Sequence, residues 1–103
     1  MTQFLHINTP IWESPPLSDA LGAPVLMKMD ALQPVGSFKI RGIGHICQVK
    51  CREGALGLVS SSGGNAGYAA AYAGRMLGVP VTVVVPETTS EWMRGLLRQE
   101  DAT

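Results

Sequence analysis

The feature that most constrains the fold is an alternation of short apolar runs with a longer helical run in the second half of the sequence. Residues 56–60 and 81–85 have the length and composition of buried strands. A glycine-rich turn over 61–67 separates them, followed by an alanine-rich stretch that predicts a helix over 68–77. Strand, helix and strand in this order predict a right-handed crossover and a parallel sheet. We therefore expect an α/β fold.

Two further helices are predicted on either side of this unit. Ser37 is a suitable N-cap for a helix over 38–50. Thr88 and Glu91 have the spacing of a capping box, which predicts a last helix ending near residue 100. The apolar face of that helix contains Trp92, which we expect to be a core residue.

The first thirty residues contain four prolines, which favour short extended pieces and turns over a long helix. One strand is predicted there, over 25–29. Only two strands of the parallel sheet are visible in the sequence, and a third is due where the chain reaches Thr103. A two-stranded parallel sheet cannot cover itself. We therefore expect these residues to be part of a longer protein, and to be neither stable nor active alone.

Charge and composition exclude several classes of partner. The sequence has eight Lys and Arg against eight Asp and Glu, so its formal charge is zero. Nucleic acids and anionic membranes usually require a basic face, so neither is expected as a partner. No apolar stretch approaches the ~20 residues of a membrane-spanning helix, and no secretory leader is evident. We expect a globular, cytoplasmic protein.

Cys47 and Cys51 are spaced four apart on one predicted helix face. They could form half of a metal site, or they could be two reduced helix cysteines of a cytosolic protein. No further Cys or His stands at ligand spacing, so no metal is predicted.

Lys39 breaks a local rule of helix composition. In a helix capped by Ser37, Lys39 and Arg41 occupy the first turn, where the helix dipole favours acids. The positive helix end and a second cation disfavour the charged amine, which favours the neutral nucleophile that a Schiff-base lysine requires. Alternatively, the long side chain extends into water. Gly42 and Gly44 each cost a helix about 1 kcal/mol relative to alanine, which favours close approach of a cofactor or of another backbone.

The glycine-rich turn over 61–67 joins a predicted strand to a helix N-terminus. Free backbone N–H groups and the helix dipole converge there on a point where an anion can bind. Ser61, Ser62 and Asn65 add side-chain donors. The spacing matches neither the dinucleotide fingerprint nor the P-loop. The turn is either an anion site or a plain tight entry into the helix.

Two segments resemble the signature stretches of a known family. They are QPVGSFKIRGIGH over 33–45 and SSGGNAGYAAAYA over 61–73, with TPIWES before them and LGVPVTVVVPETTS after them. In this order they resemble the pyridoxal-phosphate-dependent serine/threonine dehydratase group. Within it, the chain is most similar to animal-type L-serine dehydratases and their serine-dehydratase-like relatives, since Ala66 stands where threonine deaminases and serine racemases usually have His.

The resemblance implies part of the fold shared by tryptophan synthase β and its relatives. Residues 1–38 would begin the large domain, and residues 39–103 would form most of the small parallel-sheet domain. Lys39 matches the lysine that bonds to the cofactor aldehyde, and Phe38 matches a residue packed on one face of the cofactor ring. Asn65 matches the asparagine that hydrogen-bonds the ring's 3′ oxygen. The residues matching the loop that holds the substrate carboxylate are Ser62, Gly63, Gly64, Asn65 and Ala66.

The activity implied by the resemblance is β-elimination of L-serine, and of L-threonine, to the 2-oxo acid and ammonia. It implies a homodimer at full length and an amino-acid substrate. The alternatives are threonine deamination or racemisation on the same scaffold, and a non-catalytic product that binds only an anion or a partner. Asp30 stands where members often have Glu, and Gly63 where some have Ala or Ser. The phosphate-binding glycines and the residue facing the pyridine nitrogen are implied beyond Thr103.

Overall fold

The computed structural model describes residues 3–103. Its elements, in chain order, are β1 (Ile11–Glu13), α1 (Pro15–Leu21), β2 (Leu26–Lys28), a 3₁₀ turn (Asp30–Leu32), α2 (Lys39–Arg52), β3 (Leu58–Ser60), α3 (Asn65–Leu77), β4 (Val81–Val83) and α4 (Glu91–Gln99). Strands β3 and β4 pair in parallel, with Leu58 opposite Val81, and α3 connects them. The predicted α/β class and the parallel pair are confirmed.

The outer edge of β4 is paired by the last residue of the chain. The Thr103 N–H donates to the Val81 carbonyl at 2.9 Å, and the Val83 N–H donates to the Thr103 carbonyl at 2.8 Å. A parallel strand pairs with its neighbour through this alternation of donor and acceptor. The backbone therefore returns to the sheet at the position where the sequence predicts a third strand.

Helix α3 packs against the sheet through small residues. A Cβ added at Gly74 would penetrate the Val81 side chain, and one added at Gly67 would penetrate the Ser62 carbonyl. Only glycine fits at these two positions. The four alanines between them are all buried, and Ala69, Ala71 and Ala73 are completely inaccessible. The alanine and glycine composition of α3 thus allows its backbone to approach the strands closely.

Helices α2 and α3 lie side by side and run in the same direction. Near their starts, the fully buried Ile40 of α2 packs in one cluster with Ala69 of α3. Near their ends, Arg52 of α2 and Leu77 of α3 line the same surface depression. The first residues of α2 lie near the first residues of α3, and the last residues of α2 lie near the last residues of α3. The N-termini of both helices are therefore at the same end of the pair.

Residues 3–37 form a layer that contacts α2 and α3 through the buried Val35 and the adjoining Leu5, and through polar side chains. Strands β1 and β2 make an antiparallel hairpin with Ile11 opposite Lys28. The buried Gln33 amide bonds both the backbone N–H and the carbonyl of Ile7, each at 2.9 Å. From α2, the Gln48 side chain donates to the backbone carbonyl of Gln3. The Gln33 amide thus holds the layer together internally, and the Gln48 amide connects it to α2.

The starts of α2 and α3 differ from the predicted ones. The prediction that Ser37 is the N-cap of α2 is wrong, because Phe38 occupies that position; the Ser37 Oγ accepts a bond from the Lys39 N–H at 3.4 Å. Helix α3 begins at Asn65, three residues before the predicted start at 68. The glycine-rich turn is correspondingly shorter than predicted.

The last helix also departs from its prediction. Ser90 caps α4, its Oγ accepting a bond from the Met93 N–H at 3.1 Å, so the predicted capping box at Thr88 is wrong. Trp92 is 74% exposed rather than a core residue. Leu97 is the residue of α4 that is buried.

A short helix lies where the prolines predicted only turns. Helix α1 begins with Pro15 and Pro16 at its first two positions, where a missing N–H costs nothing. Ser14 caps it by accepting a bond from the Leu17 N–H at 3.3 Å. It ends at Gly22, whose φ of 76° is left-handed. The two prolines thus begin a helix of seven residues, where the sequence predicts short extended pieces and turns rather than a long helix.

The described residues form a slab with a broad apolar surface. Its extents are 50 × 40 × 17 Å, and its radius of gyration of 16.1 Å exceeds the ~13 Å of a compact domain of about 100 residues. Leu56 and Val59 are 89% and 78% exposed. Within residues 3–103, none of the helices is both long enough and apolar enough to cross a membrane.

Candidate functional site

The Lys39 amine is presented to solvent beside an aromatic ring. Lys39 is the first residue of α2, and its side chain is exposed. Its Nζ lies 5.4 Å from the centre of the Phe38 ring, which is itself 61% exposed. Across residues 3–103, no carboxylate lies within 4 Å of this amine. Phe38 and Lys39 line a cleft of about 260 Å³ together with Arg41, Gly42 and Ile43 of α2.

The first turn of α2 contains two cations and no acid, as the sequence predicts. The second cation is neutralised from outside the helix. The Arg41 guanidinium donates from Nε to one oxygen of Asp30 at 2.8 Å and from Nη2 to the other oxygen at 2.9 Å. Such a two-pronged pair is among the strongest that side chains form. Arg41 is therefore paired, whereas Lys39 has no carboxylate partner among the described residues.

The Asp30 carboxylate collects further hydrogen bonds. Thr9 Oγ1 donates to Asp30 Oδ1 at 2.7 Å, and Gln33 Nε2 donates to the same oxygen at 3.2 Å. The Arg41 guanidinium, with the Thr9 hydroxyl, holds the pKa of the Asp30 carboxyl well below its usual range. The pair with Asp30 raises the pKa of Arg41. The short aspartate arm thus reaches all three side-chain partners.

The start of α3 has the features of an anion site. Its N-cap is Gly64, so no side chain caps the helix. The Ser62 Oγ accepts a bond from the Gly64 N–H at 3.2 Å, which shapes the turn before the helix. The first N–H groups of an α-helix have no partner within the helix, and the dipole adds positive potential there. In the described chain these amides of α3 remain available to a ligand.

The structure places both predicted sets of site residues at one end of the α2–α3 pair. Phe38 and Lys39 lie at the start of α2. Of the residues predicted for the carboxylate loop, Ser62, Gly63 and Gly64 are in the turn. Asn65 and Ala66 are the first two residues of α3, so their placement in the loop is corrected. Both sets lie at this end, but within residues 3–103 the cleft beside Lys39 is lined by neither the loop nor Asn65.

This end of the helix pair is also the carboxyl end of the sheet. Strand β3 ends at Ser60 and leads into the turn before α3, while β4 ends at Val83 and leads into a second loop. The two loops touch, since a Cβ added at Gly63 would lie 3.0 Å from Thr89 Oγ1. In open α/β sheets, ligands bind outside the carboxyl ends of the strands.

The remaining titratable candidates lie away from this end. Cys47 and Cys51 are both free. Burial raises the pKa of the Cys47 thiol, and the neighbouring Cys51 raises it further. His45 is exposed on α2. Residues 3–103 contain no group of three or more His, Cys, Asp or Glu side chains placed to hold a metal ion.

Sequence reasoning missed Thr9 and Gln33 as neighbours of the site. Both are polar and buried, at 4% exposure each. Thr9 lies 21 residues from the carboxylate that it bonds. Gln33 is the first residue of the signature segment over 33–45. Its spacing of three residues from Asp30 is the sequence feature that could have indicated a hydrogen bond between the two side chains. Periodicity within an element does not reveal pairs of this kind, which join separate segments.

Three comparisons with known proteins agree with this geometry. Residues 2–103 match the family described as "Pyridoxal-phosphate dependent enzyme". The chain is 52% identical over 99 residues to the L-serine dehydratase/L-threonine deaminase of Mus musculus, covering 96% of this chain and 30% of that protein. It is 59% identical over 85 residues to the serine dehydratase-like protein of Homo sapiens, covering 82% of this chain and 26% of that protein.

The fold has a close match among solved structures. A fungal L-serine ammonia-lyase from Rhizomucor miehei superposes with a TM-score of 0.84 at 36% identity, over 97% of this chain and 32% of that one. The expected fold class, that of tryptophan synthase β and its relatives, is confirmed for these residues. The chain spans about 30% of the length of the curated L-serine dehydratases that it matches.

Proposed function

The chain belongs to the pyridoxal-phosphate dependent enzyme family, and from this premise we propose that the whole protein is an L-serine ammonia-lyase that also acts on L-threonine. The names of its relatives support this choice, since they include serine dehydratases and threonine deaminases. The structural observation that carries the proposal is the shared end of α2 and α3. An exposed amine begins one helix there, and uncapped backbone donors begin the other.

The residues present fit pyridoxal phosphate. The cofactor needs an amine that is not already paired, and Lys39 has no carboxylate within 4 Å among residues 3–103. It needs an apolar face for its ring, and Phe38 offers an exposed aromatic ring beside that amine. Lys39 would hold the cofactor through its aldehyde, and Phe38 would pack on the ring. When bound, the cofactor supplies an electron sink for the bond broken at the substrate Cα.

The start of α3 would hold the substrate. We assign the substrate carboxylate to the segment of Ser62, Gly63, Gly64 and Ala66. The Gly64 and Ser62 N–H groups donate to the serine hydroxyls of Ser62 and Ser60. The Gly63 and Ala66 N–H groups would therefore bind the carboxylate, at the positive end of the helix dipole. Asn65 would direct its side-chain amide to the 3′ oxygen of the cofactor ring. Once the amino group of the substrate has displaced it, the freed Lys39 amine would take the Cα proton as general base. These roles assign orientation to α3 and proton transfer to α2.

The overall reaction is balanced without an oxidant. L-serine loses its Cα proton and its β-hydroxyl as water, and one water is then taken up as the nitrogen leaves as ammonia, which yields pyruvate. L-threonine treated in the same way yields 2-oxobutyrate and ammonia. The Cα proton passes through Lys39, so this residue performs the acid–base step in either case.

Product analysis with the whole protein tests the reaction and separates the rivals. We expect pyruvate and ammonia from L-serine, with 2-oxobutyrate from L-threonine. D-serine as the main product would replace the proposal with a racemase. 2-Oxobutyrate from L-threonine with no pyruvate from L-serine would replace it with a threonine deaminase. Absence of any product from a cofactor-loaded preparation would favour a non-catalytic protein that binds an anion or a partner.

A labelling experiment tests the assignment of Lys39. Borohydride reduction after incubation with pyridoxal phosphate fixes the cofactor to the lysine that holds it, and digestion with mass spectrometry locates the label. We expect the label on Lys39 and its loss in Lys39→Ala. Lys50→Ala is the matched control, because Lys50 is an exposed lysine of the same helix that pairs with Glu53 at 3.0 Å. A label on Lys50 or Lys28 would contradict the assignment.

The proposal extends to the setting of the whole protein. We assign residues 1–38 to the large domain and residues 39–103 to the small domain. We further propose a cytoplasmic homodimer acting on a free amino acid, with the 103 residues inactive when separated from the rest. Size-exclusion chromatography of the whole protein with light scattering tests the dimer, and a monomeric mass would contradict it.

A further inference from the structure

We propose that Asp30 is a positioning residue for Lys39, acting through Arg41 on the first turn of α2. The inference rests on the proposed function, in which the Lys39 amine holds the cofactor. Asp30 lies outside α2, nine positions before Lys39 in the sequence. Its carboxylate pairs with Arg41, which is two positions after Lys39.

The first turn of α2 has little to fix it from within the helix. Its N-cap, Phe38, makes no side-chain capping bond, and no acid lies in the turn. The Lys39 N–H donates to the Ser37 Oγ, but at a long 3.4 Å. The Arg41 N–H donates to the Phe38 carbonyl at 3.0 Å, which ties Arg41 to the residue beside Lys39. The orientation of Arg41 is thus linked to the backbone at Lys39.

Asp30 fixes Arg41 with both of its oxygens. The two bonds, at 2.8 and 2.9 Å, allow the planar guanidinium one orientation. The carboxylate is itself anchored by Thr9 and Gln33. The Asp30 side chain is only 15% exposed, which limits the loosening of these bonds by water. The start of α2 is therefore docked to the 3₁₀ turn and to the N-terminal segment.

The same pairing decides the charge around the amine. Asp30 directs both oxygens to Arg41 and lies beyond 4 Å from the Lys39 nitrogen. Without Asp30, the Arg41 guanidinium would have no carboxylate partner at a helix end that is already positive. It would also be released to other orientations next to the cofactor site. Loss of Asp30 is thus expected to change both the geometry and the electrostatics at Lys39.

The chain offers a matched control in a second Arg–carboxylate pair. Arg75 Nε and Glu100 Oε2 are 2.5 Å apart, and the Glu100 side chain is 11% exposed, close to the value for Asp30. This pair joins α3 to the end of α4 and contains neither predicted site residues nor their neighbours. Glu100→Gln removes a comparable charge while leaving the start of α2 unchanged.

The experiment uses the whole protein with the substitutions Asp30→Asn, Asp30→Glu, Arg41→Lys and Glu100→Gln. Cofactor affinity is measured by fluorescence titration with pyridoxal phosphate, and reactivity by the rate at which borohydride traps the label on Lys39. Thermal melting of each variant without cofactor reports stability separately. We expect Asp30→Asn and Arg41→Lys to weaken affinity and slow trapping at least about tenfold, because a small misplacement of a reacting group has effects of this size.

The controls separate positioning from stability. We expect Glu100→Gln to stay within about twofold of the parent in affinity and trapping, even where its melting temperature falls, and Asp30→Glu to restore both to within about threefold. If borohydride trapped the label in Asp30→Asn at the parent rate, the inference would be overturned and the proposed function would stand. Equal losses of affinity and trapping rate in Asp30→Asn and Glu100→Gln would have the same consequence. Where Asp30→Asn does not fold, Arg41→Lys decides by the same criteria. A parent protein with no label on Lys39 would overturn the proposed function, and this inference with it.

Discussion

The helix α3 with its two strands and the N-terminal layer of residues 3–37 are held in place by different interactions. Against the strands, α3 uses glycine and alanine, and Gly74 leaves no room for even one additional carbon beside Val81. The N-terminal layer contributes one buried apolar side chain, Val35, to the cluster with Ile40 and Ala69, and its other buried side chains are polar. In it, Gln33 bonds the backbone of Ile7, and Asp30 bonds three side chains.

The difference bears on where the chain can tolerate change. Close packing fails when volume is added, since nothing can move aside. A polar tie fails when one partner is removed, since the other is left buried without a hydrogen bond. The proposed cofactor lysine lies where the two regions meet, on a helix that packs on α3 and is anchored by Asp30. We therefore expect substitutions in α3 and its strands to destabilise the protein when they add volume, and substitutions in the N-terminal layer to destabilise it when they remove a hydrogen-bond partner.

The largest effect is expected at Gly74. In Gly74→Ala the new methyl group would overlap the Val81 side chain and approach the Val79 carbonyl to 3.1 Å, so α3 must move off the sheet. We expect the free energy of unfolding of the whole protein to fall by about 3 kcal/mol or more. Urea denaturation followed by circular dichroism measures this change.

Gly95 provides the control for that substitution. It is also a helical glycine, but a Cβ added there would meet nothing within 4 Å. Gly95→Ala is expected to stabilise the protein by up to about 1 kcal/mol through helix propensity. Equal changes in the free energy of unfolding for Gly74→Ala and Gly95→Ala would show that α3 is not closely packed on the strands. The proposed difference between the two regions would then no longer hold for α3.

The next effect is expected at Gln33, in the polar region. Gln33→Leu keeps approximately the same volume but leaves the N–H and carbonyl of Ile7 without their partners. We expect a loss of about 1 to 3 kcal/mol in the free energy of unfolding. Gln99→Leu, at an exposed position of α4, should stay within about 0.5 kcal/mol of the parent. If Gln33→Leu were neutral, the N-terminal layer would not depend on these hydrogen bonds.

Acid should weaken the polar region first. Because the Arg41 guanidinium lowers the pKa of Asp30 in the folded protein, the carboxylate contributes stability that is fully present above its unfolded pKa of about 3.9. That contribution is lost as the pH falls from there through the lowered folded value. The difference in unfolding free energy between the parent and Asp30→Asn should be constant from pH 7 to about pH 5 and shrink below about pH 4. A difference that is the same at pH 3 and pH 7 would contradict the pairing.

The sequence predicts more of the packed region than of the polar one, for a physical reason. Strand and helix types in 56–85 follow from apolar runs, glycine and proline, which act locally along the chain. Lys39 was identifiable because its position in the first turn breaks a local rule, and the structure places it at the first residue of α2. The bonds of Thr9 and Asp30 join segments 21 residues apart, and local patterns contain no information about them.

Helix starts were the least accurate part of the prediction, because several residues near each start could act as the cap. Ser37 and Thr88 have suitable side chains, but the turns before α2 and α4 place Phe38 and Ser90 at the capping positions. At α3 a glycine takes the capping position, so the start lacked a side-chain signal altogether. Because no side chain caps α3, the first backbone N–H groups of this helix have no capping partner in the described chain. The same N–H groups form part of the proposed substrate site.

The smallest effects are expected at the two serine caps, one in each region. Ser14 is 7% exposed and caps α1, whereas Ser90 is exposed and caps α4. Loss of a serine cap costs about 0.5 to 2 kcal/mol, and water can replace the hydroxyl only where the helix end is exposed. Ser14→Ala should therefore lie near the upper end of that range and Ser90→Ala near the lower end, with Thr88→Ala close to zero. Urea denaturation measures the free energy of unfolding of the three variants and so gives their order. A larger loss of this free energy in Ser90→Ala than in Ser14→Ala would mean that the N-terminal layer tolerates an unpaired polar group. That result would contradict the difference between the two regions.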